Sequence, residues 1–445
     1  MKNFFYLLLA ILVSCSSPQN ENREGKTGSV LLKNAKILRG DSTPVIENGN
    51  ILIENGRIAE VGAGVTGQGA EEVDLSGKTV MPAIMCTHAH IGVVKDTTAS
   101  GANYTRENII RQLKKYASYG VLHVQALGTD RPLLFQNGLY DSLRNGSGEG
   151  ARLISAGFGF NVPQANVNPS STQGLVYRPS SASQVPAEMD SLAKLGINTV
   201  KIWVDDFNKT VPKMNEEVYH AIIDEAHKRN MKVAAHVYYL ADARRLVADG
   251  IDFLAHSIRD SVVDDALLAM MKSKDVVYIP TLSLDKFAYA YGGETEWIND
   301  PFFKESLEPG VYEMISSEKY KNDTKNSPAY ARNQNAFKIA MANAKKIFDY
   351  GIKVALGTDS GAFPIRTQGF AEHLEMQLLS EAGVPVSDVI AIATNNSAQA
   401  LGLRDFGTIG AGKVADLLVL DADPMQDIKN TRKIFSVYKA GVKVK

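Results

Sequence analysis

The chain has 445 residues, of which 44% are apolar and 22% charged, and its formal net charge at pH 7 is −1. A chain of this length can bury a large core and is expected to form more than one domain. Because acids and bases are spread along the sequence without a basic stripe, nucleic acid is excluded as an expected partner.

The first residues resemble a bacterial export signal. Lys2 precedes an apolar run over residues 4–13, which is too short to span a bilayer as a helix. The run ends in Leu12-Val13-Ser14-Cys15, which resembles a lipobox, so residues 1–14 are predicted as a signal peptide. Residues 15–27 are predicted as a lipidated N-terminus and flexible tether. We therefore expect an exported bacterial lipoprotein on the periplasmic side of the outer membrane. The alternative is a plain signal peptide with a chance cysteine.

Both ends of the remaining chain have the pattern of β-structure. Short β-rich runs separated by turns occupy residues 28–75, where Asn55-Gly56 is a strong hairpin signal. Similar runs return in residues 406–445. The sequence predicts one small β-sandwich domain that is assembled from these two segments.

The middle of the chain, residues 76–405, alternates short apolar runs with segments of helical period. A helix is predicted over residues 215–230, where Val218, Ile222 and Ala226 lie on one stripe. Strands that are apolar on both faces and alternate with helices indicate a parallel sheet. The eight runs lie at residues 80–85, 121–126, 153–156, 199–204, 232–237, 252–255, 276–280 and 353–357. Eight such units predict the α/β class, a (β/α)8 TIM barrel; a doubly wound open sheet is the alternative.

Two connections are longer than closure of a barrel requires, at residues 158–186 and 283–328. Each follows a predicted strand, so each is expected over the face where barrel enzymes keep their sites. The second connection is rich in aromatic residues. These side chains are expected either to line a substrate pocket or to pack the insertion against itself.

Six side chains suited to a metal site stand at or within the predicted strands, whose ends converge on one mouth. His88 and His90 close the first run, Lys201 lies within the fourth, His236 closes the fifth, His256 closes the sixth and Asp359 ends the eighth. A His-x-His pair on a strand directs both imidazoles to the same side. Neutral imidazoles together with a carboxylate suit zinc or a similar divalent ion.

Lys201 is the unusual member of this set, because an unpaired charged lysine inside an apolar strand is costly. Reaction with CO2 would convert it to a carbamate whose two oxygens can bridge two metal ions, which then generate a hydroxide nucleophile. Asp359 could bind metal and pass the hydroxide proton to the leaving group. Tyr238 shares strand parity with His236, so its hydroxyl is expected either to bind the substrate carbonyl or to pack.

At these residues the sequence resembles the amidohydrolase superfamily, over nearly everything after residue 28. The order His-x-His, Lys, His, His, Asp is similar to the binuclear subtype with a carboxylated lysine, and residues 407–417 look like the family's return into its β-sandwich. Within the superfamily the chain looks closest to the imidazolonepropionase-like and prolidase-like branch. Imidazolonepropionases are mononuclear and lack the lysine, so Lys201 points toward the dipeptidase side. The family usually has an acid just before Thr-His-x-His, where this chain has Cys86, and often Arg-Asp where it has Gln125-Ala126.

The resemblance implies hydrolysis of a C–N bond, in an amide or dipeptide, by a hydroxide that bridges two divalent ions, with Zn²⁺ as the expected metal. His88 and His90 would hold the more buried ion, and His236 and His256 the outer one. Alternatives on the same barrel are a mononuclear deaminase, a cyclic-amide hydrolase and a lactone or ester hydrolase. A Schiff-base lyase using Lys201 and a non-catalytic binding protein are further alternatives. The expected partners are a small-molecule or dipeptide substrate, the membrane through Cys15, and a second copy of the chain.

Overall fold

The computed structural model describes residues 28–41, 43–164, 175–293 and 295–445. The signal peptide predicted over residues 1–14, the lipid on Cys15 and the tether up to residue 27 lie outside the described residues and stay predictions. In the part of the chain that is described, no helix is both long enough and apolar enough to cross a bilayer.

The strands and helices are numbered here in chain order. The strands are β1 (Val30–Ile37), β2 (Ile46–Glu54), β3 (Arg57–Gly62), β4 (Glu71–Asp74), β5 (Thr79–Pro82), β6 (Ile84–Ala89), β7 (Val94–Lys95), β8 (Thr98–Ala99), β9 (Val121–Ala126), β10 (Arg152–Ser155), β11 (Thr199–Trp203), β12 (Lys232–His236), β13 (Phe253–Ala255), β14 (Val277–Ile279), β15 (Leu417–Leu420), β16 (Ile434–Lys439) and β17 (Val442–Lys443). The α-helices are α1 (Arg106–Ser118), α2 (Leu139–Asn145), α3 (Val185–Ala193), α4 (Glu216–Lys228), α5 (Leu240–Ala248), α6 (Asp265–Ser273), α7 (Leu282–Ala290), α8 (Pro301–Ser306), α9 (Val311–Ser316), α10 (Glu318–Lys325), α11 (Tyr330–Asp349), α12 (Phe370–Glu381), α13 (Val386–Ala391) and α14 (Ser397–Ala400).

Strands from both ends of the described chain pair into one eight-stranded sheet. Its order is β17-β16-β15-β5-β1-β2-β3, and β4 also pairs with β1. The predicted hairpin turn joins β2 to β3, and Asn55 and Gly56 both have positive φ, of 50° and 76°, as a type I′ turn requires. Apolar side chains of this sheet, among them Leu32, Ile51 and Val419, form a buried cluster separate from that of the barrel, whereas Met81, Leu418 and Leu420 belong to the barrel cluster. A two-layered sandwich arrangement of these strands stays a prediction.

The barrel is built from parallel strands in two groups. β6, β9 and β10 form one group, and β11 to β14 form the other. A parallel bridge between Phe160 and Ile202 joins the groups on one side. On the other side, bridges from Val354 to Tyr278 and from Ser360 to Ala89 insert the eighth segment between β14 and β6. The predicted run at residues 353–357 therefore occupies the eighth position, although it pairs at isolated residues rather than as a regular strand.

The first predicted barrel strand, at residues 80–85, is wrong in its bounds. Residues Thr79–Pro82 form β5, which pairs with β1 and β15 in the eight-stranded sheet, and the barrel strand β6 begins only at Ile84. All four residues of β5 and all six of β6 are buried, so the apolar run is continuous across two different sheets. Hydrophobic pattern alone cannot divide such a run. The small sheet thus extends past the boundary predicted at residue 75.

The predicted helix at residues 215–230 is confirmed as α4. Val218, Ile222 and Ala226 are among its buried residues, and the Asn215 side chain caps its first turn by accepting a hydrogen bond from the Glu217 N–H. An amphipathic stripe and an N-cap agree here, which explains why the sequence indicated this element clearly.

The insertion over residues 283–328 lies against the barrel mouth, but its aromatic side chains pack against one another. The Phe287 ring lies 6.0 Å from the Tyr291 ring and 6.3 Å from the Trp297 ring, measured between centroids. The insertion reaches the central pocket through α7, by Leu284, Asp285 and Ala288. Of the two expectations for these aromatics, packing of the insertion is therefore confirmed.

A buried ion pair connects the barrel to the small sheet. The Arg152 guanidinium, at the start of β10, donates to the Asp416 carboxylate, and these side chains are only 10% and 4% exposed. Nearby, the Lys439 ammonium donates to the carbonyls of Gly146, Gly148 and Gly150 at 2.7–2.8 Å. These contacts fix the small sheet to the end of the barrel opposite the strand-end histidines.

We expect Asp416→Asn to destabilise the protein by about 3–5 kcal/mol, because it leaves the buried Arg152 charge without its partner. Urea denaturation followed by circular dichroism would measure this loss. Glu149→Ala is the control, since the Glu149–Lys114 pair is exposed, at 73% and 54%, and should hardly move the midpoint. Equal midpoints for both variants would contradict the role given to the buried pair.

Candidate metal centre

The six side chains predicted from strand ends line one pocket at the barrel mouth, with a cavity volume of about 350 Å³. Parallel strands bring their carboxyl ends to the same side of a barrel, so residues distant in sequence meet there. The six are His88, His90, Lys201, His236, His256 and Asp359.

His88, His90 and Asp359 form the tightest part of this group. Asp359 Oδ1 lies 3.2 Å from His88 Nε2 and 2.8 Å from His90 Nε2. One ligand atom from each of the three residues can be chosen so that all lie within 4.8 Å of one another. Burial by itself raises the pKa of the Asp359 carboxyl, but His90 and Arg366 outweigh it and hold that pKa well below its usual range. Two imidazoles thus face an ionised carboxylate, which is a donor set suited to one divalent ion.

His236 and His256 extend the group across the mouth. The His256 ring centroid lies 4.3 Å from that of His236 and 4.5 Å from that of His88. His256 Nδ1 is 2.9 Å from Thr281 Oγ1. This contact fixes the orientation of the ring, so Nε2 is the nitrogen available to a ligand. His236 Nε2 is 2.9 Å from Asp205 Oδ2. The two imidazoles are therefore oriented by different groups, His256 by a hydroxyl and His236 by a carboxylate.

Lys201 lies on β11 with a side chain that is fully enclosed, at 1% exposure. Its Nζ has no hydrogen-bond partner within the described residues and lies 5.6 Å from the centroid of the Trp203 ring. Burial lowers the pKa of the amine to about 7, and Asp359 offsets only part of that shift. Burial also lowers the pKa of His88, to about 3, and that of His256 well below its usual value. At neutral pH the His88 and His256 imidazoles are thus uncharged, and the lysine can lose its proton.

The residues present fit a divalent cation. Both ring nitrogens of His88 and the Nζ of Lys201 are buried polar atoms without a hydrogen-bond partner in the described part of the chain. Buried polar groups are rarely left in that state without a ligand, ion or functional role. A cation held by imidazole nitrogens and carboxylate oxygens would satisfy such groups.

The remaining pocket wall is mixed in character. Tyr238 lines it and is half-buried, with the Arg259 guanidinium 4.9 Å from its ring centroid. Arg259 in turn pairs with Asp285 at 2.5 Å. Arg332 lines the same pocket from α11 and is exposed, while Phe363 adds an apolar face. A ligand in this pocket would meet cationic, phenolic and apolar groups beside the histidines.

Four contacts at the site had not been predicted from the sequence. Thr129 contacts His90, Asp205 contacts His236, Thr281 contacts His256, and the Arg366 guanidinium donates to Asp359. Thr129, Asp205 and Thr281 all follow the ends of barrel strands, so the strand-end rule was the signal available. Single hydroxyl and acidic residues are too common in loops for that rule to select them.

Comparisons with known proteins identify the family of the chain. The sequence profile of the amidohydrolase family matches residues 79–444. Ochratoxinase from Aspergillus niger is 26% identical over 242 residues, which cover 53% of this chain and 42% of that protein. Imidazolonepropionase from Deinococcus deserti is 32% identical over 111 residues, 24% of this chain and 27% of that protein. The chain thus spans less than half the length of these curated relatives.

The fold is also similar to solved structures. A crystal structure of a Xaa-Pro dipeptidase with methionine bound in its active site superposes with a TM-score of 0.74 and 22% identity. The superposition covers 94% of this chain and 99% of the dipeptidase chain. At this level of identity the likeness demonstrates the barrel fold.

We expect Thr129→Val to weaken binding of a divalent cation by about 10–100-fold, as is usual when the partner of a ligating histidine is lost. The Thr129 hydroxyl lies 2.6 Å from His90 Nδ1, and valine keeps its shape without the hydroxyl. Titration of Co²⁺ against a chelator would measure the affinity. Thr98→Val, which alters an exposed hydroxyl away from the pocket, should leave it unchanged. Equal affinities in the two variants would show that the hydroxyl does not orient His90.

Proposed function

The chain belongs to the amidohydrolase family, and we propose that it is a metal-dependent hydrolase that cleaves the C–N bond of an amide or dipeptide. The observation that carries the proposal is the enclosed Lys201 amine without a hydrogen-bond partner within the described residues, beside four imidazoles and an ionised carboxylate. A buried lysine without a partner does not stabilise an apolar strand. In a metal-dependent hydrolase, the carbamate of such a lysine would serve as a metal ligand.

Two divalent ions, expected to be Zn²⁺, would be held by these residues. His88, His90 and Asp359 suit one ion, His236 and His256 suit the other, and Lys201 would contribute to both as a carbamate. When bound, the ions would polarise the scissile carbonyl and supply an activated water as the nucleophile.

The chain's own residues account for proton movement and orientation. The Asp359 carboxylate is the group suited to take the proton of the attacking water and to give it to the leaving nitrogen. Arg366 donates to the same carboxylate and keeps it ionised. Tyr238 is half-buried in the wall of the same pocket, so its hydroxyl is suited to donate to the substrate carbonyl as negative charge develops there.

The pocket wall favours a substrate that carries a carboxylate. Arg332 and Arg366 bring two cationic groups to the pocket, while Phe207, Phe363 and Leu284 supply apolar surface. A dipeptide or an N-acyl amino acid combines both features on the side of the leaving group. A cavity of about 350 Å³ lies near the lower end of the range usual for small-molecule sites.

The mononuclear alternative has one observation in its favour. Within the described residues, a group of three candidate ligands forms only at His88, His90 and Asp359, while His236 Nε2 is engaged by Asp205. A deaminase or cyclic-amide hydrolase with a single ion would use that group alone. Counting bound metal ions per chain separates the two proposals.

The proposed reaction is tested by screening the metal-loaded protein against dipeptides, N-acyl amino acids, lactams and lactones. We expect turnover of amides with a free carboxylate, detected as release of a primary or secondary amine, and slower turnover of the same compounds with that carboxylate amidated. Release of ammonia would identify a deaminase instead. Cleavage of lactones alone would identify an ester hydrolase.

We expect Lys201→Ala to lower kcat/KM by at least roughly 100-fold, since even outer partners of metal ligands are commonly worth 10–100-fold. Short carboxylic acids such as formate or acetate should restore part of the activity, because their two oxygens can replace those of the carbamate. Lys232→Ala is the matched control, since this lysine lies on the neighbouring strand β12 but is exposed. Full metal content and full turnover in Lys201→Ala would exclude a role for the carbamate.

We also propose that the protein is exported and anchored by a lipid on Cys15, which rests on the lipobox-like Leu12-Val13-Ser14-Cys15. Cells grown with labelled palmitate should incorporate label into the protein, and Cys15→Ala should abolish the labelling. Retention of label in that variant would refute lipid attachment at this residue.

A further inference from the structure

Helix α12 carries two carboxylates that are withdrawn from solvent and face the strand ends. Glu372 and Glu375 are each 0% exposed. They are separated by three positions, which places them on the same side of a helix. Buried carboxylates are rare unless they are paired or hydrogen-bonded, so their partners indicate what they do.

Glu372 is hydrogen-bonded to the loop that presents Asp359. Its Oε1 accepts from Thr358 Oγ1 at 2.6 Å and from Ser360 Oγ at 2.8 Å. These two hydroxyls belong to the residues immediately before and after Asp359, whose φ of 58° lies in the left-handed region. The other oxygen, Oε2, accepts from the Gly369 N–H at 2.8 Å at the start of α12. Glu372 thus ties both sides of the Asp359 turn to one helix end.

Glu375 is hydrogen-bonded to the first turn of α7, which directly follows Thr281. Its two oxygens accept from the N–H groups of Leu282 and Ser283, each at 2.7 Å. The residue before them, Thr281, has a φ of 52°, and its hydroxyl lies 2.9 Å from His256 Nδ1. Glu375 therefore holds the turn that carries the hydroxyl on which the orientation of His256 depends.

We propose that Glu372 and Glu375 are positioning residues for two different cations, Glu372 through Asp359 and Glu375 through Thr281 and His256. This inference rests on the proposed function, because it presumes one ion near His88, His90 and Asp359 and a second near His236 and His256. Both left-handed turns are held from outside the pocket by hydrogen bonds that residues next to them donate to two side chains of one helix. The two halves of the centre are thereby set at a fixed separation.

The competing explanation is that each carboxylate only caps a helix. Glu372 accepts from an N–H at the start of α12 itself, and Glu375 accepts from two N–H groups at the start of α7. A cap that is lost lowers stability without regard to which cation is bound. The two explanations therefore differ in whether the two substitutions affect different ions.

The test is a two-step titration of the protein with Co²⁺ in competition with a chelator, together with the visible absorption of the bound ion. Reference titrations of His90→Asn and His256→Asn assign each step and each spectrum to one half of the centre. We expect Glu372→Gln to weaken the His90-dependent step by about 10–100-fold, and Glu375→Gln to weaken the His256-dependent step by a similar factor. In each variant the other step should keep its affinity within a few fold.

Glu308→Gln is the matched control. Glu308 is also a buried carboxylate, 5% exposed, but it pairs with Arg111 and Lys115 away from both ligand turns. It should lower thermal stability and change neither binding step. Thr281→Val provides a second variant that leaves the Glu375 carboxylate in place, and it should reproduce the selective loss seen in Glu375→Gln.

The outcomes separate this inference from the function on which it rests. Two unchanged Co²⁺ steps in Glu372→Gln, Glu375→Gln and Thr281→Val, accompanied by lower melting temperatures, would overturn the positioning role and leave the proposed function intact. Equal weakening of both steps in each variant would also overturn it. Wild-type protein that binds no Co²⁺ would overturn the proposed function and this inference together.

Discussion

The withdrawal of an amine and four imidazoles from water, at one end of a parallel barrel, is the constraint on which the rest of the site depends. In that environment the charged forms of Lys201, His88 and His256 are unfavourable, so their pKa values fall, whereas the Asp359 carboxylate stays ionised among them. Uncharged nitrogen donors around a single carboxylate repel a cation far less than protonated ones would. Burial alone thus converts ordinary basic side chains into a ligand set.

A neutral imidazole has one donor and one acceptor nitrogen, so a contact at one nitrogen decides what the other can do. Thr129 meets His90 at Nδ1, and Thr281 meets His256 at Nδ1. In both cases Nε2 is the nitrogen that is left for the pocket. Both hydroxyls follow the end of a barrel strand, Thr129 three residues after β9 and Thr281 two residues after β14, so the loops at the strand ends orient these two ligands.

The backbone at these turns is itself unusual. His256 has a φ of 75°, Thr281 of 52° and Asp359 of 58°, although none is glycine. Each such residue costs of order 1–3 kcal/mol and persists where its surroundings determine it strongly. Gly357 is constrained by close neighbours rather than by its backbone angle, since a Cβ there would lie 2.4 Å from Ile279 and 2.8 Å from His88. The eighth segment can therefore close the barrel only with glycine at this position. The left-handed turn at Asp359 follows two residues later.

These features explain how far the sequence could be interpreted. Apolar runs that alternate with helices indicated the barrel. The strand-end rule nominated the four histidines and Asp359, and the cost of a lysine inside an apolar strand nominated Lys201. The division between β5 and β6 could not be predicted, because both strands are buried on all sides and the chain passes directly from one sheet into the other. Glu372 and Glu375 were not predicted as site residues, because acidic residues inside an amphipathic helix are ordinarily exposed to solvent. Only the packing of α12 against the barrel gives them partners.

Cys86 shows why such partners must be considered together. An acid is usual at this position in the family, where this chain has Cys86. In the fold, the Cys86 Sγ lies 3.6 Å from the Thr358 hydroxyl. Burial raises the pKa of the thiol, and the nearby Glu372 carboxyl raises it further. An acid at residue 86 would place a second carboxylate in the same enclosed space, and two such groups in contact cannot both ionise without a large penalty. Burial raises the pKa of the Glu372 carboxyl as well as that of the Cys86 thiol. With a neutral thiol on β6, the one acidic group of this pair is Glu372 on α12, which is bonded to the turn of Asp359 instead of to the His-x-His strand.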